Sequence, residues 1–119
     1  MRSVATWIDV ERIGLALPEA ALGQAHEGSP AVLVRTQQFA RLRWDEASEI
    51  LQFWVPDADL VQAYVQADPE LYWGAPGYSK KVVMARLGRI ADDMVRELLV
   101  ESWWARAPMS LRKAHRDLR

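Results

Sequence analysis

The chain has no cysteine among its 119 residues. Disulfides, thiolate nucleophiles and cysteine-held metals are therefore excluded, and a reducing compartment is compatible with the sequence. Histidine is scarce, and His26 and His115 each stand alone. A zinc site needs three or four close N, S or O ligands, so His26-Glu27 falls short of one. No apolar run approaches the roughly 20 residues that a membrane helix requires. Asp9 and Glu11 interrupt the N-terminal segment, which leaves no signal-peptide core. The expectation is a cytoplasmic protein with no cofactor and no membrane association. Net charge is also small, at -1 with a pI near 6.1. That argues against indiscriminate nucleic-acid binding by a wholly basic domain.

Catalytic motifs are missing too. No GxSxG elbow occurs. The run Gly74-Ala-Pro-Gly77-Tyr-Ser-Lys80 invites comparison with a phosphate loop. Such a loop needs its Lys directly after the second Gly, whereas Tyr78-Ser79 intervene here. Pro76-Gly77 reads instead as a turn. The acid pairs Asp92-Asp93 and Glu46/Glu49 fall at a helix start and a hairpin turn, where capping and solvation account for them. No catalytic residue is assigned, and the reading leans away from an enzyme.

What is present is a sequence of ordinary globular composition, half hydrophobic and 26% charged. Its length suits one domain over 1–119 with a single core. A first helix is predicted over Val4–Leu17, capped by Ser3 or Thr6, because Trp7, Val10, Ile13, Gly14 and Leu17 recur at helical spacing. Leu17-Pro18 ends it. Gly23 to Pro30 reads as a poorly patterned strand or loop. Strands are predicted at Ala31–Arg35, Phe39–Trp44 and Glu49–Val55, with short turns that make an antiparallel meander. Alternation puts Ala40, Leu42 and Trp44 on one face and Phe39, Arg41 and Arg43 on the other. Asp57 or Asp59 caps a second helix that turns Leu60, Val61, Tyr64 and Val65 inward, and Asp68-Pro69 closes it. A strand follows at Lys81–Leu87. Asp92 or Asp93 caps a third helix, with Val95, Leu98, Leu99, Ser102 and Trp103 as its buried stripe. Pro108 ends that helix, and Ser110 caps a short tail helix from Leu111 to Leu118. The fold class is α+β: an antiparallel sheet backed by helices on one face, with an N-terminal helix and a long C-terminal one.

Six tryptophans are many for this length. Trp7 and Trp103 fit helix stripes, whereas Trp73, Tyr72 and Tyr78 crowd one irregular stretch. Charge is segregated as well. From Trp44 to Glu70 there are seven acids and no base, and from Gly74 to Ile90 four bases and no acid. Two kinds of site follow. Arg41 and Arg43 share a strand face that would meet phosphates, with Arg35 a further candidate and Lys80 and Lys81 placed at the sheet edge. Interleaved rings and cations suit stacked bases or phosphorylated ligands. The partner expected on this reading is duplex DNA. The alternative is a protein-interaction or small-ligand module, or a homo-oligomer, that uses an aromatic patch of Tyr72, Trp73 and Tyr78.

An ordered set of short motifs resembles the MmcQ/YjbR family of small bacterial proteins. The set comprises Leu17-Pro18, Phe39-Ala40-Arg41-Leu42, Asp68-Pro69, Pro76-Gly77-Tyr78 and Glu101-Ser102-Trp103. The resemblance spans about Val4 to Leu118. It implies one α+β domain, similar to the C-terminal double-wing domain of the phage activator MotA, which offers a concave sheet to DNA. Two departures stand out. The family commonly carries Gly-Lys where this chain has Gln37-Gln38, and Trp where it has Val82.

Overall fold

Capping decides where the first helix begins. In a computed structural model that describes residues 3–118, α1 runs over Trp7–Leu15. The ends of the expected domain (Met1, Arg2 and Arg119) lie outside the described residues. The Asp9 carboxylate accepts from the Thr6 amide at 2.9 Å and pairs with Arg12. The amide bond, chiefly, holds the Asp9 carboxyl below its usual pKa. Its stabilising effect is therefore complete at neutral pH and fades as pH falls through that lowered value. The helix starts later than the apolar spacing suggests because Val4 bridges Ala91 and the Ala5 amide donates to Ile90. Those bonds keep residues 4 and 5 extended.

The sheet has six antiparallel strands: β1 (Ala20–Gln24), β2 (Pro30–Val34), β3 (Gln37–Asp45), β4 (Ser48–Trp54), β5 (Tyr72–Ala75) and β6 (Ser79–Arg86), in the order β1-β2-β3-β4-β6-β5. The meander and β6 lie where alternation predicts them. β1 begins ahead of the poorly patterned segment and overlaps it only at Gly23 and Gln24. β5 emerges from the aromatic stretch, which folds as a hairpin with β6 across a turn closed by Tyr78 N–H to Ala75 O. The edges are thus β1 and β5. Lys80 and Lys81 sit at the start of an inner strand, not on a sheet edge as the sequence suggested.

Register separates the two faces. Val32, Ala40, Phe53 and Val83 pair in one row, and Leu42, Leu51, Ala85 and Tyr72 in the next. Both rows belong to the main core under the helices. α1 covers β1 to β3, α2 (Ala58–Ala67) covers β5 and β6, and α3 (Val95–Arg106) covers β3 and β4. The Asp57 side chain accepts from Leu60 N–H at 3.2 Å and starts α2. Asp57→Ala is expected to cost about 1 kcal/mol, a fall of roughly 4 °C in Tm for a chain this long, measurable by differential scanning calorimetry. Asp92 and Asp93 do not cap α3; they form a short 3-10 turn, Asp92–Met94, ahead of it. α4 (Met109–Ala114) begins behind Pro108 rather than Ser110.

α3 does more than cover the sheet. The Ser102 hydroxyl accepts from Trp54 N–H at 2.8 Å and donates to Phe39 O. Ala40 pairs with Phe53, so Phe39 and Trp54 flank the next rung of the β3–β4 ladder. A helix side chain fills that rung. The next residue, Trp103, is fully buried and donates its Nε1–H to Pro18 O at 2.9 Å.

Candidate nucleic-acid interface

Period-two alternation sends every second side chain of the inner strands to the face opposite the core. One row there runs Ala31, Arg41, Gln52, Met84, Trp73, and the next Arg43, Ile50, Arg86. Ile50, Trp54, Val82 and Met84 form a second, smaller apolar cluster, with Trp73, Ala75 and Ala105 packed on it. Long side chains close over this cluster in place of helices.

Those side chains are arginines stacked on rings. Arg43 lies 5.6 Å from the Tyr78 ring centroid, Arg86 4.9 Å from Trp73, and Arg106 4.7 Å from Trp54. Such stacking contributes about 0.5–1 kcal/mol per pair at an exposed site and more where water is excluded. Their hydrogen bonds differ in charge. Arg86 donates to the Asp45 carboxylate at 2.9 Å. Arg43 donates to Gln52 Oε1 at 2.7 Å, and Arg106 to Gln38 O at 2.8 Å. Arg41 donates to Ser29 Oγ and His26 O. Among the described residues, three of the four guanidiniums are thus matched to neutral acceptors and keep an uncompensated positive charge. Burial lowers the Arg106 pKa from its ordinary value, while the nearby Tyr78 phenol opposes that shift.

The candidates named from sequence divide. Arg41 and Arg43 do share a face, opposite the main core. Arg41, however, is only 6% exposed and ties the 26–29 loop to the sheet, so it supplies field rather than contact. Arg35 sits in a turn at positive φ and pairs with Glu19 at 2.6 Å, apart from the other arginines. Lys81 lines a recess with Trp54 and Arg106, whereas Lys80 lines the groove beside α2. The aromatic patch does not hold together. Tyr72 points into the main core, with ring centroids 6.4 Å from Phe53 and 5.0 Å from Tyr64, and burial raises its phenol pKa. Its neighbour Trp73 points to the arginine face with Tyr78. Adjacent residues of a strand cannot share a face.

Sequence reading missed Arg86 and Arg106. Arg86 follows Val82 and Met84 at period two, a signal that was available. Arg106 ends a helix, and nothing in its spacing shows that it reaches a strand ring. Among the described residues no group of three or more metal-ligating side chains gathers, and no helix is long and apolar enough to cross a membrane.

The sequence model of one family, YjbR, matches residues 15–105. The chain belongs to the YjbR family. No curated protein and no solved structure matches it. In this YjbR-family chain the motifs picked out from the sequence have structural reasons. Pro18 accepts from Trp103, Asp68 closes α2 and accepts from Leu71 N–H, and Ser102 completes the β3–β4 ladder. Gln38 and Val82 both adjoin the arginine face. Gln38 holds Arg106, and Val82 is buried opposite Trp54.

Proposed function

We propose that this YjbR domain is a non-catalytic nucleic-acid-binding module, and that duplex DNA lies along the arginine face with its phosphates against Arg43, Arg86 and Arg106. The observation that carries this reading is the pair Arg43 and Arg106, held in place by rings and neutral acceptors with no carboxylate bonded to either; Arg86 lies on the same face but shares its charge with Asp45. Guanidinium forks match phosphate oxygens bidentately. Preordered side chains lose less entropy on binding. The chain's overall charge of -1 limits the long-range attraction, so affinity rests on this face alone.

Anisotropy of a labelled duplex, titrated at low and moderate salt, tests it. Three neutralised phosphates give a slope of about -2.7 in log Kobs against log salt. Arg43→Ala combined with Arg106→Ala should remove most of the binding and flatten that slope by roughly two phosphates. No binding at low salt overturns the function. Unchanged binding by the double variant overturns the site.

A second reading rests on a groove of about 310 Å³ between α2 and the β5–β6 hairpin, lined by Val61, Gly74 and Pro76 with Asp59 and Lys80 beside them. It fits a small ligand or a peptide. A ligand that raises Tm without salt dependence would favour it over the first.

A further inference from the structure

We infer that β1 is an interface strand, which pairs with β1 of a second copy of this chain. This inference stands without the nucleic-acid reading and concerns the opposite end of the sheet from β5.

An exposed sheet edge presents a row of unpaired backbone groups, and soluble proteins normally blunt it with charge, proline, bulges or a covering element. The β5 edge is blunted. It is short, carries a register shift at Gly74/Ala75 and runs into Pro76. The β1 edge has none of these devices. Its sequence, Ala20-Ala-Leu-Gly-Gln24, contains no charge and no proline, and it pairs with β2 without a shift.

The direction of its free groups follows from the ladder. Ala25 N–H donates to Ser29 O at 2.7 Å and closes the β1–β2 pairing at one end. Antiparallel bonding alternates, so Gly23 and Ala21 also bond toward β2. The N–H and C=O groups of Leu22 and Gln24 then point outward, as does Ala20 O. Ala20 N–H is already given to Leu17 O.

This pattern is complementary to itself. An antiparallel partner related by a two-fold axis at Leu22 sets Leu22 against Leu22 and Ala20 against Gln24. Leu22 pairs its amide and carbonyl with those of its copy, and Gln24 N–H meets Ala20 O at each end. The side chains agree with this. Leu22 stands opposite Val32 and so lies on the helix-covered face, yet it is 53% exposed. α1 packs on the helix-covered face beside β1 and leaves Ile8 75% and Leu15 41% exposed, seven residues apart on one flank. On the other face Gly23 adds no bulk. Leu33 leans over it so closely that an added Cβ would lie 2.3 Å from Leu33 Cδ1. Nothing charged is buried by the contact.

A five-residue edge is only about 17 Å long, below the size of a permanent interface. The dimer is therefore concentration-dependent. Sedimentation velocity up to millimolar protein should show the 13.6 kDa chain passing to twice that mass. Leu22→Lys, which opposes two ammonium groups at the axis, should leave a folded monomer by circular dichroism. The absence of native cysteine permits a sharper probe. Directly opposed residues of a hydrogen-bonded pair lie about 5.5 Å apart at Cα, within disulfide range. Leu22→Cys should cross-link on mild oxidation. Ala20→Cys, whose two copies lie far apart in this register, should not. A monomer at every concentration with no cross-link overturns the inference. A dimer that survives Leu22→Lys, or that cross-links equally through Ala20→Cys, overturns it as well, because another surface or register is then in use.

Discussion

Trp103→Ala is expected to cost about 3–5 kcal/mol of folding stability, within the range for a fully buried aromatic. That is a large part of the roughly 6–18 kcal/mol available to a chain of this length. The expected fall in Tm is about 12–20 °C. Three losses combine. The indole volume is left empty at the junction of α1, α3 and α4, where its ring meets Trp104 and His115, each at a centroid distance of 6.2 Å. The Nε1–H bond to Pro18 O disappears. The loop that delivers the chain from α1 into β1 then loses its anchor to the last long helix. Urea unfolding followed by far-UV circular dichroism measures the effect, with Trp103→Phe as the comparison that keeps most of the apolar volume while losing the Nε1–H bond. A loss under about 1 kcal/mol for the alanine variant would show that the site collapses without penalty.

Ser102→Ala ranks second, at about 2–4 kcal/mol, although it deletes a single oxygen. The hydroxyl satisfies two backbone groups at once, Trp54 N–H and Phe39 O, and Ser102 itself is fully buried. Each orphaned buried group costs about 1–3 kcal/mol. A hydrophobic count of α3 would rate the change as neutral or better, so the sign of the result separates the two accounts. Hydrogen exchange at Trp54 gives a local readout. Its amide should lose protection more than those of Gln52 and Leu51, which keep their strand partners. Equal protection in both proteins would rule out the bridging role of Ser102.

The inner sheet and the helix stripes were legible because each repeats a period. Ala40, Leu42 and Leu51 alternate, and Trp7, Val10 and Gly14 recur at helical spacing. β1 was not legible, because Ala-Ala-Leu-Gly-Gln has neither alternation nor β-branched residues, and pairing with β2 makes it a strand. β5 was hidden for a related reason. Tyr72 and Trp73 read as one aromatic group until extended backbone turned them to opposite faces. On the site, alternation put Arg41 and Arg43 on one face, as the register does, but it put Phe39 with them, and Phe39 is buried in the main core. That Arg41 is buried, and that Arg106 reaches Trp54 from the end of a helix, depends on contacts across the chain that no local pattern encodes. Ser102 was read as one more stripe position, since a serine in an apolar face carries no mark of the two strands it joins.

The rung filled by Ser102 also orders events in time. The β3–β4 hairpin is local in sequence, but its final closure waits for a residue 63 positions beyond Phe39. The Pro18 anchor waits for one 85 positions away. As the chain leaves the ribosome, strands β1 to β6 are synthesised before α3, so neither bond can form until α3 follows. α3 is the latch: the bonds that close the β3–β4 ladder and the bond that anchors Pro18 all come from it.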